Sequence, residues 1–391
     1  MAEAPPHPAV DVLVVGGGMA GAALAAHLAG PGRSVVIAEA ESHVGYHATG
    51  RSAAVFSQTY GGPVIRALSA ASREFFLDPP PGFAEHPLVR PRGELHVADA
   101  AGEARLQALA LQPDVAAVTR PLSAAEALRL APALRPEAAV AGLFEPGARD
   151  IDVDGLHQAY LRKFRAAGGR LALDARVTGL QRGAGGWAVQ TTAGGFRARI
   201  VVNAAGAWAG ELAALAGASA LAVQPRRRTA ILVDAPDGVD IGSWPFVVDA
   251  AETFYFKPDA GALLVSPADE TPSPPLDAQA DEFDVAVAAD RLERATTIEV
   301  RRVRRRWAGL RTFVPDRAPV IGFDPAAPGF FWLAALGGYG IQTAPAVGEL
   351  AAELLVSGAL GPRFTDLGLA QADLSPARSG AMREACLEVA E

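Results

Sequence analysis

VDVLVVGGGMAGAALAAHLAGPGRSVVIAE, the sequence of residues 10–39, combines an apolar run, a glycine-rich turn, a run of helix formers and a second apolar run. This pattern predicts a strand at 10–15, a helix at 20–28 and a strand at 34–38, which form one βαβ unit. The turn has the spacing G-x-G-x-x-G at Gly16, Gly18 and Gly21. Glycines at this spacing let backbone N–H groups at a helix N-terminus approach a pyrophosphate.

Glu39 follows the second strand of this unit. A carboxylate at that place can accept hydrogen bonds from the ribose hydroxyls of an adenosine. The strand, the helix and the acid together predict a dinucleotide site, with a glycine turn that binds nothing as the alternative. The unit alone does not distinguish NAD from FAD.

Two later segments repeat the order of strand, small-residue turn and helix start. Residues 200–208 are IVVNAAGAW, and residues 319–348 include PVIGF and WLAALGGYGIQ. Further helix N-termini suit a long anionic ligand, although ordinary strand-to-helix turns are the alternative. These segments therefore favour FAD.

Composition limits the class of protein. The chain has 391 residues, 50% of them apolar, and a formal net charge of −8. At roughly 150 residues per domain, this length predicts two or three domains with a large core. Cys386 is the single cysteine, so neither an intramolecular disulfide nor a cysteine-based zinc site is expected. The 7 histidines have no ligand spacing, and no metal site is predicted.

Charge patterns also bear on partners and location. The arginine clusters at 226–228 and 301–306 lack interleaved aromatic residues in a chain of negative net charge, so the second is expected to be a solvated edge and no nucleic-acid partner is predicted. Residues 325–348 carry no charge, but their glycines and prolines favour a strand, a turn and a helix start over an integral membrane segment. Because no signal-peptide pattern is visible, a cytoplasmic location is expected, with peripheral attachment to the inner membrane left open.

Apolar periodicity predicts the remaining elements. Helices are expected at 65–76, 123–130, 155–167, 283–295 and 342–357. Ser123 with Glu126 three residues later predicts a capping box at the second of these helices. Short strands are expected at 93–97, 171–173, 175–180, 187–191, 196–202, 231–233, 254–257, 262–265, 319–322 and 330–335.

Four segments together resemble the FAD-dependent D-amino-acid oxidase/dehydrogenase superfamily. They are residues 16–21 with Glu39, 45–61 (GYHATGRSAAVFSQTYG), 201–208 (VVNAAGAW) and 332–342 (WLAALGGYGIQ). Within the superfamily the sequence is most similar to the bacterial D-arginine dehydrogenases, from about residue 10 to about residue 376. Less general stretches add to the similarity: 70–76, 85–88, 224–228, 254–259 and 307–313.

The resemblance implies FAD as the cofactor. A non-covalent flavin is expected because no cysteine lies near the flavin-binding segments, while His47 leaves a histidyl link open. The resemblance places the flavin diphosphate and ring against residues 47–54, the adenine against the backbone of Val177, and the pyrimidine edge of the flavin against residues 337–342, where N–H groups would stabilise the anionic reduced flavin. With the glycine motif, the expected cofactor residues are Gly16, Gly18, Ala20, Gly21, Glu39, Ala40, His47, Ala48, Thr49, Gly50, Arg51, Ser52, Ala53, Ala54, Val177, Gly206, Gly337, Gly338, Tyr339, Gly340, Ile341 and Gln342.

The same resemblance implies a site for an amino acid. Arg311 corresponds to the guanidinium that clamps an α-carboxylate, and Tyr60 and Tyr255 correspond to hydroxyl donors beside it. Arg228 corresponds to a further basic group, and Gly338 to the backbone carbonyl that receives the α-amine. The ordinary alternatives are a solvated strand residue for Arg311 and half-buried aromatic residues for the two tyrosines.

Glu94 corresponds to the carboxylate that pairs with a cationic substrate side chain, with an ordinary outward-facing acid as the alternative. Val55 stands where the arginine enzymes have a histidine. This departure affects the expected pH profile and substrate preference rather than flavin binding.

The implied reaction is the FAD-dependent oxidative deamination of D-amino acids, with D-arginine and D-lysine favoured. The imino acid product hydrolyses to a 2-oxo acid and ammonia. Arg311, Tyr255 and Tyr60 are the residues expected to position the substrate for hydride transfer, and the electron acceptor is a quinone or another, unidentified molecule. Two alternatives stay open: a flavin oxidase or dehydrogenase for other amines or 2-hydroxy acids, and a non-catalytic flavin-binding subunit of a larger complex.

The fold class expected is α/β with α+β elements, similar to D-amino-acid oxidase. A Rossmann-like FAD-binding domain is expected from residues 8–82, 151–220 and 318–376. An inserted mixed-sheet domain that binds the substrate is expected from residues 83–150 and 221–317. Residues 1–7 and 377–391 are expected to be flexible termini.

Overall fold

The computed structural model of the chain describes residues 8–382. Within this range the helices α1 to α11 are, in chain order, Met19–Leu28, Pro63–Leu77, Glu103–Ala110, Pro113–Ala116, Ala124–Leu130, Val153–Ala166, Ala209–Ala216, Glu282–Ala295, Ala344–Ser357, Pro362–Thr365 and Gln371–Leu374. Short 3-10 helices lie at Ala48–Arg51, Pro136–Ala138, Gly206–Trp208 and Ser379–Ala381.

The strands β1 to β20 of the same residues are, in chain order, Ala9–Val15, Val35–Ala38, Val55–Phe56, Val89–Pro91, Glu94–Ala98, Arg120–Ser123, Ala141–Glu145, Arg149–Ile151, Arg170–Ala172, Val177–Gly183, Gly186–Thr191, Gly194–Asn203, Gln224–Asp234, Phe246–Asp249, Tyr255–Asp259, Ala262–Ser266, Thr271–Pro272, Val303–Phe313, Val320–Phe323 and Phe330–Ala334.

The predicted βαβ unit opens the first sheet. β1 pairs in parallel with β2 on one side and with β12 on the other, and β9 and β20 extend the parallel part. Side chains of β1 alternate between two apolar cores: Val12 and Val14 face one core, and Leu13 and Val15 face the other. Because both faces of the strand are buried, its sequence is a nearly continuous apolar run.

The second sheet is mostly antiparallel and has the order β17, β13, β16, β15, β14, β5, β7, β6, with β18 paired to β13. Its strands come from residues 94–145 and 224–313. The strands of the first sheet come from residues 9–38, 170–203 and 320–334. The mixed α/β class predicted from the sequence is confirmed, whereas the domain bounds remain a prediction.

The arginine cluster at 301–306 is largely exposed and leads into an edge strand, as the sequence predicted. Val303–Phe313 is an 11-residue strand that pairs along β13. The side chains of Arg304 and Arg306 form ion pairs with Asp234 and Glu282. The basic cluster therefore includes the exposed first half of an edge strand, where Arg304 and Arg306 are paired with acids, and the second half of this strand carries Arg311.

The capping box is present as predicted. The Ser123 N–H donates to Glu126 Oε2 at 2.9 Å, and the Glu126 N–H donates to Ser123 Oγ at 3.4 Å. Two N–H groups that would lack partners at the start of α5 are thereby satisfied. Among residues 8–382, no helix combines the length and the apolar character needed to cross a bilayer.

The C-terminal end differs from the expectation of a flexible segment from residue 377. Arg378 forms an ion pair with Asp316 at 2.7 Å, and Ala381 is buried in one of the cores of the first sheet. Residues 377–382 are therefore packed, because they supply a partner for an acid and cover apolar surface. The remaining terminal residues, 1–7 and 383–391, lie outside the described range.

Candidate active site

One cavity of about 400 Å³ connects the glycine turn of the first sheet to the inner face of the second sheet. Its walls come from the turn between β1 and α1, from residues 45–55, from β5, β13, β15 and β18, and from residues 333–342. The predicted site residues on these walls are Gly16, Gly18, Ala20, Glu39, Ala40, His47, Ala48, Thr49, Arg51, Ser52, Ala53, Ala54, Tyr60, Glu94, Val177, Gly206, Arg228, Tyr255, Arg311, Gly337, Gly338, Gly340, Ile341 and Gln342.

Three predicted cofactor residues lie behind the wall instead. A Cβ on Gly21 would stand 2.0 Å from the Gly16 carbonyl oxygen, so Gly21 permits the close packing of α1 on the turn. The Gly50 N–H donates to the Gly45 carbonyl at 2.8 Å and closes a turn within the loop 45–55. Tyr339 is buried, with its ring 4.7 Å from the ring of Tyr60.

The Glu39 carboxylate is fixed at one end of the cavity. Its Oε2 accepts from the Gly17 N–H at 2.7 Å, and its Oε1 accepts from the Glu41 N–H at 3.0 Å. Each carboxylate oxygen has a second lone pair, which can accept a ribose hydroxyl. The glycine motif and the acid are therefore joined as the dinucleotide prediction requires.

The loop 45–55 is tied to both sheets. Thr49 Oγ1 accepts from the Met19 N–H at the start of α1, at 3.0 Å. Arg51 Nη1 donates to the carbonyl oxygens of Ala278 at 2.8 Å and Ala308 at 3.1 Å, and Trp307 Nε1 donates back to the Arg51 carbonyl at 3.0 Å. These bonds hold the loop across the middle of the cavity.

The loop 337–342 lies at the end of the cavity opposite Glu39, close to the Arg311 guanidinium. A Cβ on Gly338 would lie 2.7 Å from Arg311 Nη1, so any larger residue at this position would require the guanidinium to move. Gln342 accepts from the Ser57 N–H at 3.3 Å and donates to Ser69 Oγ at 2.8 Å. The loop is thus fixed beside the same guanidinium that the sequence singled out.

Arg311 and the tyrosines form a polar group at that end. Arg311 Nη1 donates to the Tyr60 hydroxyl at 2.9 Å. Burial acts to raise the pKa of Tyr255, but the positive charges of Arg311 and Arg228 outweigh it and lower that pKa. Arg228 is itself held, since its Nε donates to the Asp269 carbonyl at 2.8 Å and its Nη2 donates to Glu270 at 3.3 Å.

Glu94 lies on another wall of the same cavity and is almost fully buried. Its Oε2 has no hydrogen-bond partner among the described residues, and its Oε1 lies 3.4 Å from His96 Nε2. Burial raises the pKa of Glu94 to about 7, an effect that the nearby Ser57 hydroxyl opposes. A buried carboxylate oxygen with no partner can accept a cationic donor from a ligand.

Sequence reasoning missed the groups behind Glu94. Glu145 is directly opposite Glu94 in the β5–β7 ladder and accepts from the Ser57 hydroxyl at 2.9 Å and the Thr59 hydroxyl at 3.1 Å. His96 Nε2 lies 3.0 Å from Thr59 Oγ1. The β5–β7 register and the loop after β3 bring these residues together, so no local sequence signal marks them. Within residues 8–382, no cluster of three or more histidine, cysteine, aspartate or glutamate side chains is arranged to hold a metal.

The residues on the cavity wall fit FAD. The cavity is continuous from Glu39 and Val177, past the glycine turn and the loop 45–55, to Gly338 beside Arg311. It therefore offers a ribose acceptor, a helix N-terminus for a pyrophosphate and a second glycine loop for the ring system. This arrangement defines a dinucleotide-dependent oxidoreductase with a second, polar site at the far end of the cavity.

Comparison with known proteins gives the family. The family model described as DAO, FAD dependent oxidoreductase, matches residues 11–354, and the chain belongs to this family. FAD is accordingly its cofactor.

Individual relatives are more distant. The chain is 33% identical over 177 residues to FAD-dependent oxidoreductase domain-containing protein 1 of Bos taurus, which covers 41% of this chain and 36% of the relative. It is 31% identical over 242 residues to glycine oxidase of Geobacillus kaustophilus (strain HTA426), covering 60% of this chain and 61% of the relative. The matches thus span about a third and three fifths of these two relatives.

A solved structure supports the fold. The crystal structure of L-proline dehydrogenase from P. horikoshii superimposes with a TM-score of 0.79 at 22% sequence identity, covering 90% of this chain and 95% of that protein. At this identity the similarity concerns the fold and not the substrate.

Proposed function

We propose that this protein oxidises D-amino acids at Cα, with FAD as cofactor, and favours basic substrates such as D-arginine and D-lysine. The imino acid formed hydrolyses in water to a 2-oxo acid and ammonia. One observation carries the proposal: Arg311, which is bonded to Tyr60, and Glu94, whose buried Oε2 has no partner among the described residues, line one cavity. That cavity can receive a carboxylate at one place and a cation at another.

Arg311 is the proposed carboxylate clamp. A guanidinium presents two parallel N–H donors to a carboxylate, which a lysine does not. Tyr60 holds Arg311 Nη1 at 2.9 Å, and Tyr255 lies on the same cavity wall with its hydroxyl among positive charges. The clamp fixes the orientation of the substrate, which is the chief contribution a protein makes to a cofactor reaction.

Glu94 is the proposed partner of the substrate side chain. Phe246 and Val248 line the cavity near β5 and offer apolar contact to the aliphatic stem of arginine or lysine. The ammonium or guanidinium at the end of such a stem would satisfy Glu94 Oε2, which otherwise stays buried without a partner. An aliphatic side chain would leave that oxygen unsatisfied, which costs free energy.

The α-amine is proposed to lie against the backbone carbonyl of Gly338, beside Arg311. When bound, FAD supplies the hydride acceptor, and glycines 337, 338 and 340 with the start of α1 are the backbone that would hold it. This chain's own residues bind the carboxylate and orient Cα.

The test is an absorbance spectrum of the purified protein followed by addition of D-arginine without oxygen. We expect a visible flavin band that D-arginine bleaches and L-arginine leaves unchanged. A yellow protein that D-arginine does not bleach would support the proposed cofactor and contradict the proposed substrate. Readmitting air then separates an oxidase, whose colour returns quickly, from a dehydrogenase that needs a quinone or another acceptor.

A second candidate is the oxidation of glycine or a small secondary amine. The 31% identity with a glycine oxidase over 60% of this chain favours it. Glycine and sarcosine in the same bleaching experiment distinguish the two candidates, and 2-hydroxy acids test the remaining substrate class. Turnover by the isolated chain with any of these compounds would exclude a purely non-catalytic subunit.

A further inference from the structure

Two buried carboxylates lie side by side beneath the end of the cavity assigned above to the substrate side chain. Glu94 and Glu145 are register partners on β5 and β7, and their residues are 3% and 0% exposed. Side chains directly opposite in an antiparallel ladder have Cβ atoms roughly 5 Å apart, and like charges there repel. Within residues 8–382, neither carboxylate forms an ion pair with a lysine or an arginine.

A chain of polar atoms joins the two acids. Glu94 Oε1 lies 3.4 Å from His96 Nε2, which lies 3.0 Å from Thr59 Oγ1, which in turn donates to Glu145 Oε2 at 3.1 Å. The Ser57 hydroxyl also donates to Glu145 Oε2, at 2.9 Å, and the Gln58 N–H donates to Glu145 Oε1 at 3.0 Å. Both oxygens of Glu145 are thus engaged, whereas Glu94, which lines the cavity, keeps its Oε2 buried without a hydrogen-bond partner among the described residues.

We propose that Glu94 and Glu145 act as one carboxyl pair, which carries one proton when no substrate is bound. The cationic end of a basic substrate then replaces this proton. Glu145 is then a positioning residue for specificity, because its charge sets the pH at which Glu94 can receive a cation. The inference rests on the proposed preference for basic substrates. The proton released on binding passes to solvent, and no bond to carbon changes in this step.

The surroundings of the pair favour a shared proton. The groups that face it are His96 on β5, Phe246 and Asp249 on β14, Glu252 in the turn after β14, and Ser57, Thr59 and Tyr60 in the loop after β3. Burial and the charge of Glu94 raise the pKa of Glu145 to about 7, and burial lowers the pKa of His96. With His96 neutral, one proton on the pair is the means by which two adjacent acids avoid a double negative charge.

The variant Glu145→Gln tests the pairing, with kcat/KM for D-arginine and for D-norleucine as the readout. In the parent protein we expect the ratio of the two values to rise about tenfold between pH 6 and pH 8, following the ionisation of the pair. In Glu145→Gln the midpoint of this rise should move down by about one pH unit or more, because Glu94 loses its negative neighbour. The plateau of the ratio should also fall, since one negative charge near the cation is gone.

A matched control is Glu137→Gln, at an exposed glutamate that does not line the cavity. It should keep the midpoint of the parent protein. A lower ratio in Glu145→Gln with an unmoved midpoint would assign Glu145 a merely structural role and overturn the inference.

A second measurement needs no variant. Proton release is followed with a pH indicator when the oxygen-free holoprotein is mixed with each substrate at pH 6.5 in weak buffer. D-Arginine should release up to one proton more than D-norleucine, and this excess should vanish at pH 9. Equal release at pH 6.5 would overturn the inference even if Glu145→Gln does not fold.

The failure of the proposed function looks different. If the parent protein shows no preference for D-arginine over D-norleucine at any pH, the basic-substrate proposal and the inference fall together. If the preference exists but neither the midpoint nor the proton release behaves as described, the inference alone fails.

Discussion

Arg311 Nη1 donates a 2.9 Å hydrogen bond to the hydroxyl of Tyr60, although 251 positions separate the two residues in the chain. Tyr60 belongs to the segment that follows the loop 45–55, and Arg311 belongs to β18 of the second sheet. The bond therefore joins this segment to the second sheet across the cavity. It also fixes one edge of the guanidinium and leaves other N–H donors for a ligand.

The first prediction concerns this guanidinium. Replacing Arg311 with Met should lower kcat/KM for any amino-acid substrate by two or more orders of magnitude, chiefly through KM, because a charge-assisted bidentate contact is lost. Arg311→Lys should recover only part of this loss, since an ammonium has no planar fork. Steady-state kinetics with an artificial acceptor measure both. An unchanged kcat/KM in Arg311→Met would remove its proposed role.

The second prediction separates charge from shape at Glu94. Glu94→Gln should reduce kcat/KM for D-arginine and D-lysine by about tenfold to a hundredfold, the effect expected when a charged hydrogen bond is lost. D-Norleucine and D-methionine, which bring no cation, should be much less affected. A substrate panel at pH 8 makes the comparison. Equal losses for basic and apolar substrates would show that Glu94 is structural.

Local patterns predicted the parts of the structure that local interactions determine. The βαβ unit follows from an apolar run, a glycine turn and a helix, and the Ser123 capping box follows from two residues three positions apart. The strand that carries Arg311 was not predicted, because its arginine-rich first half hides the alternation of side chains. Its ion pairs come from other elements, which a local pattern does not show.

Some residues of the candidate site are also marked by a local sequence pattern, whereas others depend on tertiary contacts. Residues at backbone turns, such as Gly16, carry a signal because a positive φ and a close backbone contact favour glycine there. Glu145 carries none, since its role depends on the β5–β7 register and on hydroxyl groups in the loop after β3. Tyr339 is a further case that a local pattern does not resolve, because its ring is buried against Tyr60 and its predicted contact with the cofactor remains a prediction.

The third prediction tests the adenosine end of the cavity. The two oxygens of the Glu39 carboxylate accept hydrogen bonds from the N–H groups of Gly17 and Glu41. In Glu39→Gln an NH₂ group replaces one of these oxygens, so one of the two N–H groups loses its acceptor. The turn should loosen and a charged acceptor for the ribose is lost, so we expect the Kd for FAD to rise by about tenfold or more. Titration of the deflavinated protein with FAD, followed by flavin fluorescence, gives this value. Glu103→Gln, on the exposed first turn of α3, is a suitable control and should bind FAD like the parent protein.

The fourth prediction concerns stability at acid pH and the helix of the dinucleotide unit. His27 lies near the end of α1, its Nε2 has no hydrogen-bond partner among the described residues, and its ring is 6.4 Å from that of Tyr160. Burial, together with the positive charges of Lys163 and Arg363, lowers the pKa of His27 to about 4 from the model-compound value of 6.5. Between pH 4 and pH 6.5, His27 is therefore mostly protonated in the unfolded chain and mostly neutral in the folded protein.

The sign follows from this difference. The stability that neutral His27 confers is fully present above pH 6.5 and is lost as the pH falls towards 4, with a loss of about 2 kcal/mol between pH 7 and pH 5. His27→Leu should remove this component, so the free energy of unfolding of the variant should fall less over that interval. Urea denaturation of the FAD-bound protein at both pH values measures this difference.

The raised pKa values of Glu94 and Glu145 act in the opposite direction, but they are common to both proteins and cancel in the comparison. The control is His86→Leu, at an exposed histidine. Its free energy of unfolding should fall between pH 7 and pH 5 by as much as that of the parent protein. The same loss in His27→Leu would mean that acid destabilisation arises elsewhere in the fold.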